Sequence, residues 1–181
     1  MSDALIGKQI QKLDISNNAL GPSGALALSD FLLQAGNLRV LLINNCGLGI
    51  DGVTTISNSL KSGTPNLELW AMSRNRAENP GAVKIGEALS GLKKLKELHV
   101  FQNVIRLEGM VAIVTALQGC PDLEVLDIRD NYVKGEAAKE MGVLIDKSKN
   151  LKCLNLSDCN MEKEENEFLI KAFEVLKYFF F

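Results

Sequence analysis

Hydrophobic and polar positions fall into one arrangement that occurs six times along this chain. Each copy opens on an apolar residue and places further apolar residues three and five positions on. An asparagine or cysteine follows eight positions on from the opening residue, and another apolar residue two beyond it. The copies begin at Ile10, Leu38, Leu67, Leu95, Leu123 and Leu151, at steps of 28, 29, 28, 28 and 28 residues. Within each copy the apolar pair alternates with polar neighbours, the period of a strand buried on one face. Between copies, apolar residues recur at helical spacing over 23–34, 52–62, 81–91, 107–118, 135–147 and 164–176. Ala25, Leu28, Phe31 and Leu32, for example, make one inward stripe.

Written out, the copies carry Ile10, Leu13, Ile15, Asn18 and Leu20; then Leu38, Leu41, Ile43, Cys46 and Leu48; then Leu67, Trp70, Met72, Asn75 and Ala77. The last three carry Leu95, Leu98, Val100, Asn103 and Ile105; Leu123, Leu126, Ile128, Asn131 and Val133; and Leu151, Leu154, Leu156, Cys159 and Met161. The pattern L-x-x-L-x-L-x-x-N/C-x-L at this period is the leucine-rich-repeat signature. It predicts an α/β solenoid over residues 1–181 as a single domain, with parallel strands on a concave face and helices on the convex face. A 28-residue unit leaves room for a full helix, which points to the ribonuclease-inhibitor-like horseshoe. Asn18, Asn75, Asn103 and Asn131 are expected to face inward and satisfy backbone groups of the neighbouring turn. Gly21, Gly24, Gly49, Gly52, Gly81 and Gly109 are expected to shape the entry to each helix. The chain begins barely before the first copy and closes on Phe179, Phe180 and Phe181, so neither end reads as a finished cap and a truncated chain is one expectation.

Composition narrows the chemistry. With 46% hydrophobic and 23% charged residues, a net charge of −2 and a pI near 5.5, the chain is not built for general nucleic-acid binding. No signal peptide and no spanning apolar run is read from the sequence, so no membrane role is expected. Cys46, Cys120, Cys153 and Cys159 lie in different surroundings, with no C-x-x-C spacing and no histidine partner, so they predict reduced thiols and neither disulfides nor a metal site. His99 is the sole histidine, no nucleophile–base pair can be assembled around it, and no phosphate-binding glycine loop is present. A hydrolytic site of the chain's own, and any cofactor, are therefore not expected. Lys93, Lys94 and Lys96 read as a solvated face. One further row is informative: the residue before each inward Asn or Cys, namely Asn17, Asn45, Arg74, Gln102, Asp130 and Asp158. At the strand spacing of a parallel sheet it forms an exposed edge spanning roughly 24 Å.

The motifs around that edge resemble the Ran GTPase-activating protein family. "LLINNCGLG" (41–49) is similar to the family's N-N-x-G-x-G-like loop, and "SRNRAEN" (73–79), one repeat later, to its G-R-N-R-x-E-N loop. "SNNALGP" (16–22) matches S-D-N-A-F-G-P, "FQNVIRLEG" (101–109) matches Q-N-G-I-x-x-x-G, and "VLDIRDN" (125–131) and "LNLSDC" (154–159) follow in the same order. The resemblance implies an activator whose edge grips a Ran-type small GTPase in its GTP form. It uses no arginine finger. An asparagine, which aligns with Asn45, positions the GTPase's own glutamine, and an amide suits that task because it donates and accepts at once. By the same alignment Arg76 and Asp130 fall on partner contacts, with Arg74, Gln102, Asn17 and Asp158 beside them. The chain differs from the family in having Asn17 for an aspartate and Ser73 for a glycine. It also lacks the arginine-bearing T-G-R repeat, the later repeats and the acidic tail. The resemblance implies a cytoplasmic location, with the nuclear envelope as a second address; oligomeric state is left open. The competing expectation is a non-catalytic interaction module. It would bind another protein by the concave face, through Arg39, Leu42, Leu69, Ala71, Glu97, His99, Asp127 and Asn155.

Overall fold

A computed structural model describes residues 7–175, so the three terminal phenylalanines lie outside the described residues. Strands and helices alternate strictly. They are β1 (Lys12–Asp14), α1 (Gly21–Gln34), β2 (Val40–Leu42), α2 (Gly49–Gly63), β3 (Leu69–Ala71) and α3 (Glu78–Leu89). There follow β4 (Glu97–His99), α4 (Leu107–Leu117), β5 (Val125–Asp127), α5 (Glu136–Lys147), β6 (Cys153–Asn155) and α6 (Lys163–Val175). The strands form one parallel sheet in chain order, in a register that places Leu13, Leu41, Trp70, Leu98, Leu126 and Leu154 side by side. This is the expected leucine-rich-repeat solenoid. Consensus positions that repeat in sequence therefore stack in space, and each helix packs against the helices of the adjacent repeats.

The core runs between sheet and helices as one continuous column. Leu41, Trp70, Leu98 and Leu126 from the sheet and Leu28, Ile56, Ile85, Ile113 and Met141 from the helices are wholly buried within it. Two glycines set how closely the helices approach. A Cβ on Gly63 would lie 2.0 Å from the Leu32 carbonyl oxygen, and one on Gly86 would lie 2.7 Å from that of Ala112. Any side chain there would force neighbouring turns apart.

The helices differ from expectation chiefly at their starts, which come two or three residues early in the first three repeats. The last consensus apolar residue leads directly into the helix: Gly24, Gly52 and Gly81 donate to the carbonyls of Leu20, Leu48 and Ala77 at 2.9, 3.1 and 3.0 Å. Consequently Gly24, Gly52, Gly81 and Gly109 belong to first turns, not entry loops. Their value is small size, since a Cβ on Gly109 would meet that of Ala82 at 2.5 Å.

A second row of neighbours fixes the register from outside the core. Arg39, Glu68, Lys96, Glu124 and Lys152 precede successive strands and alternate in charge. Glu68 pairs with both Arg39 and Lys96, the latter at 2.8 Å, and Glu124 pairs with Lys152 at 2.6 Å. The lysines expected to be a solvated face are likewise tied across repeats. Lys94 donates to Asn66 at 2.7 Å and Lys93 to the Gly119 carbonyl at 3.3 Å.

Candidate functional site: the loop edge

The edge is built on the inward asparagines. Asn75 Oδ1 accepts from the backbone of Cys46 (2.9 Å), while its Nδ2 donates to the carbonyls of Ile43, Met72 and Ser73. Asn103 repeats the pattern, accepting from the backbone of Asn75 at 2.9 Å, and Asn131 accepts from those of Asn103 (3.2 Å) and Ile105 (3.0 Å). All three are buried. Asn18 departs from expectation: it is exposed, and among the described residues its amide only donates within its own turn, to Ile15 and Ser16. Cys46 and Cys159 occupy the same inward place and donate through sulfur, Cys159 to Ile128 at 3.5 Å. The chemistry of the consensus position is thus donation to carbonyls, which a thiol can imitate; acceptance from the preceding repeat is the part that needs the amide oxygen.

A shorter ladder, which the repeat consensus does not contain, runs beside it. Ser16 Oγ accepts from the backbone of Asn44 (3.1 Å), Asn44 Oδ1 from that of Ser73 (2.8 Å), and Ser73 Oγ from that of Phe101 (3.1 Å). Ser73 is therefore a structural link between repeats three and four.

On this frame the six edge residues are held in one posture. Asn17, Asn45, Arg74, Gln102, Asp130 and Asp158 are all exposed, and all have positive φ, from 51° to 61°. The backbone N–H of each of the first five donates to the following repeat, at 2.8 to 3.0 Å. The strand's hydrogen bonding thus extends past its last residue while the chain turns outward, and the left-handed conformation reconciles the two. Asparagine and aspartate tolerate that region because their short polar side chains bond locally, so Asn17, Asn45, Asp130 and Asp158 suit their places. The third repeat is costlier. Arg74, Arg76 and Glu78 all have positive φ, at 58°, 55° and 52°, where the second repeat uses Asn45, Gly47 and Gly49. Each non-glycine residue there costs on the order of 1–2 kcal/mol, and strain of this kind collects at functional loops. The hydrophobic pattern carried no sign of it.

The side chains form two groups. Asn45 Nδ2 donates to Asn17 Oδ1 at 3.1 Å, and the Asn45 amide oxygen accepts no hydrogen bond among the described residues. Arg74 is braced in turn: its Nε donates to Gln102 at 2.7 Å, and its guanidinium lies 5.8 Å from the centre of the Phe101 ring. Arg129 covers the same ring at 4.3 Å and reaches Asp127 at 3.6 Å. Arg76 joins Arg74, Gln102 and Val104 around a shallow depression and, among the described residues, has no acidic partner. Asp130 and Asp158 continue the row without ion pairs among the described residues. The edge therefore runs from neutral amides through arginines to free carboxylates. The structure brings Asn17 and Asn45 together, and Arg74 and Gln102 together; Asp130 and Asp158 stand apart from both pairs.

The concave face is different in kind. Val40, Leu42 and Leu69 are partly buried, and Ala71 and Asp127 are buried. His99 sits between carboxylates, 3.5 Å from Glu97 and 3.9 Å from Asp127. Cys153 is exposed there, while burial pushes the thiols of Cys46 and Cys120 up and that of Cys159 up to about 11. No group suited to holding a metal ion is found among the described residues, and no helix among them is long and apolar enough to cross a membrane.

Comparison with known proteins agrees with the motifs. The Leucine Rich repeat family matches residues 10–29, 91–114 and 147–164. The Ran GTPase-activating protein of Drosophila melanogaster is 37% identical over 115 residues, and Ran GTPase-activating protein 1 of Xenopus laevis is 36% identical over 118. The Saccharomyces cerevisiae Ran GTPase-activating protein 1 is 30% identical over 110 residues. This chain is a leucine-rich-repeat protein similar to the Ran GTPase-activating proteins. The matches take in 58%, 58% and 56% of the chain but only 19%, 20% and 27% of those relatives, so it spans a small part of their length. Among solved structures, the tropomodulin C-terminal domain from Caenorhabditis elegans has a TM-score of 0.68 at 13% identity, covering 83% of this chain and 91% of that one. The actin-binding site 2 of leiomodin-1 has a TM-score of 0.63 at 17% identity, covering 83% and 86%. At those identities the likeness is one of fold.

Proposed function

We propose that this Ran-activator-like chain stimulates GTP hydrolysis by a Ran-type small GTPase, and that Asn45 is the group through which it does so. Similarity to Ran GTPase-activating proteins supports the partner, and the Asn17–Asn45 hydrogen bond is the observation that carries the mechanism. Phosphoryl transfer asks the protein for positioning and charge stabilisation. With its nitrogen committed to Asn17, Asn45 offers its oxygen to the amide N–H of the GTPase's glutamine. The glutamine's own oxygen is then turned toward the attacking water and accepts from it. The asparagine is exposed, on a backbone held at φ 51° and tied to the next repeat, so little ordering is left to be done on binding. Arg74, Arg76, Gln102, Asp130 and Asp158 supply contacts along the same edge. The GTP-bound form is the expected partner, because only there is a glutamine to be positioned against a γ-phosphate. A cytoplasmic location accompanies this reading.

The test is single-turnover GTP hydrolysis by Ran, with and without the chain, with Asn45→Ala alongside. Stimulation should fall by about a hundredfold in the variant, while binding to Ran changes far less. Equal losses in rate and affinity would make Asn45 an ordinary contact. Absence of stimulation by the folded, unaltered chain would favour the interaction-module reading.

A further inference from the structure

Beyond the row of amides and arginines, the rim changes character. Arg74, Arg76, Gln102 and Val104 line one shallow depression, and Arg106, Leu107, Tyr132 and Lys134 line another that begins two residues further along the chain. Val104 is 45% exposed and Leu107 is 48% exposed. Val104 also holds a φ of 60°. The equivalent position, directly after the inward residue, is left-handed in other repeats too, where it carries Gly47, Arg76 and Asn160. A β-branched side chain is the worst fit to that region, and one half exposed gains little there from burial. Glycine would serve the fold better on both counts.

Charge completes the description. The Arg106 guanidinium lies 5.5 Å from the centre of the partly buried Tyr132 ring, and its backbone N–H is held by Asn79 Oδ1 at 2.9 Å. Lys134 is paired with Glu162, whereas Arg76 and Arg106 have no acidic partner among the described residues. Glu78 and Glu108 stand in the first turns of the adjoining helices and engage neither arginine. An apolar step ringed by uncompensated cations is complementary to a surface that is apolar at its centre and acidic at its margin.

We infer that Val104, Leu107 and Tyr132, bracketed by Arg76 and Arg106, dock an acidic segment of the partner GTPase that presents an exposed apolar side chain. The inference rests on the activator reading and separates affinity from rate: Asn45 acts on the chemistry, and this step holds the complex together. A neutral apolar partner would leave both arginines desolvated and unpaired, and a basic one would be repelled.

Val104→Gly, Leu107→Ser and Arg106→Glu in the full chain test it, with Ran loaded with a non-hydrolysable GTP analogue as the probe. Val104→Gly should raise Kd about tenfold through lost apolar contact. The same change should raise Tm by about 2 °C, because relief of the left-handed valine outweighs the added freedom of the unfolded chain. Opposite signs in binding and stability are what a residue with a merely structural role would not give. Leu107→Ser should weaken binding comparably, and Arg106→Glu should weaken it and flatten its salt dependence. Variants that bind as tightly as the unaltered chain would overturn this inference and leave the activator reading standing. A fall in Tm for Val104→Gly would also overturn it, since the valine would then be packing within the fold. Failure of the unaltered chain to bind Ran would overturn both.

Discussion

Asn103 and Asn18 occupy the same place in the repeat, yet truncating them should have very different consequences. In Asn103→Ala the buried backbone N–H of Asn75 loses its acceptor at 2.9 Å, and that of Ala77 loses the same oxygen at 3.4 Å. The carbonyls that Asn103 serves fare better. Met72 still receives Asn75 Nδ2, Val100 still receives Asn131 Nδ2, and Phe101 still receives the backbone of Arg74. The dominant cost is thus the stranded Asn75 donor, about 1–3 kcal/mol, with a smaller addition for the long bond from Ala77 and the other bonds lost. A total of about 3 kcal/mol corresponds to a Tm lowered by roughly 9 °C for a chain of this size. Asn18 is exposed and, among the described residues, donates only to Ile15 and Ser16, at 2.9 and 3.2 Å, so Asn18→Ala should cost less than about 1 kcal/mol. Thermal and urea unfolding followed together by far-UV circular dichroism and by Trp70 fluorescence provides the assay. Trp70 is the single tryptophan and is fully buried in the repeat next to Asn103. Coincidence of the two probes also checks that the array unfolds as one unit, as repeat proteins need not. Equal shifts for the two variants would refute the claim that accepting from the preceding repeat is what makes the asparagine valuable.

Two further outcomes follow from protonation and burial. At neutral pH iodoacetamide should modify Cys153 alone in the folded chain, because Cys46, Cys120 and Cys159 are buried and the Cys159 thiol is pushed up to about 11; mass spectrometry showing more than one adduct would contradict this. The Glu68 carboxyl is held below its ordinary value of 4.5 by its hydrogen bond from Lys96 and then by that from Arg39. Since the folded value lies below the unfolded one, its contribution is present above 4.5 and lost as pH falls through the folded value. Glu68→Gln should therefore lower the urea midpoint at neutral pH, and the gap from the unaltered chain should close in acid; a gap that persists there would mean that charge is not its source.

The sequence by itself determined the architecture. Six copies of one apolar pattern at a near-constant step leave a chain no other way to bury its leucines than to stack its repeats, so strands, their order and the inward Asn75, Asn103 and Asn131 are legible in the sequence. The exposed edge residues were legible for the same reason, as positions fixed by count from the inward residue. Helix starts were missed by two or three residues, because the last consensus apolar residue enters the helix without a distinct capping side chain.

What only the tertiary structure decided depends on neighbours that lie a full repeat apart. The exposure of Asn18, the bond from Asn45 to Asn17 and the Ser16–Asn44–Ser73 ladder are relations between adjacent repeats, and a consensus read within one repeat does not contain them. The left-handed backbone of Arg74, Arg76, Glu78 and Val104 is another such relation. Those residues adopt a conformation their own preferences oppose because Arg74, Glu78 and Gln102, which flank Arg76 and Val104, donate their backbone N–H groups to the next repeat and hold the turns in place. Local propensity yields where a stacked neighbour fixes the backbone, and here those positions lie on the exposed loop edge.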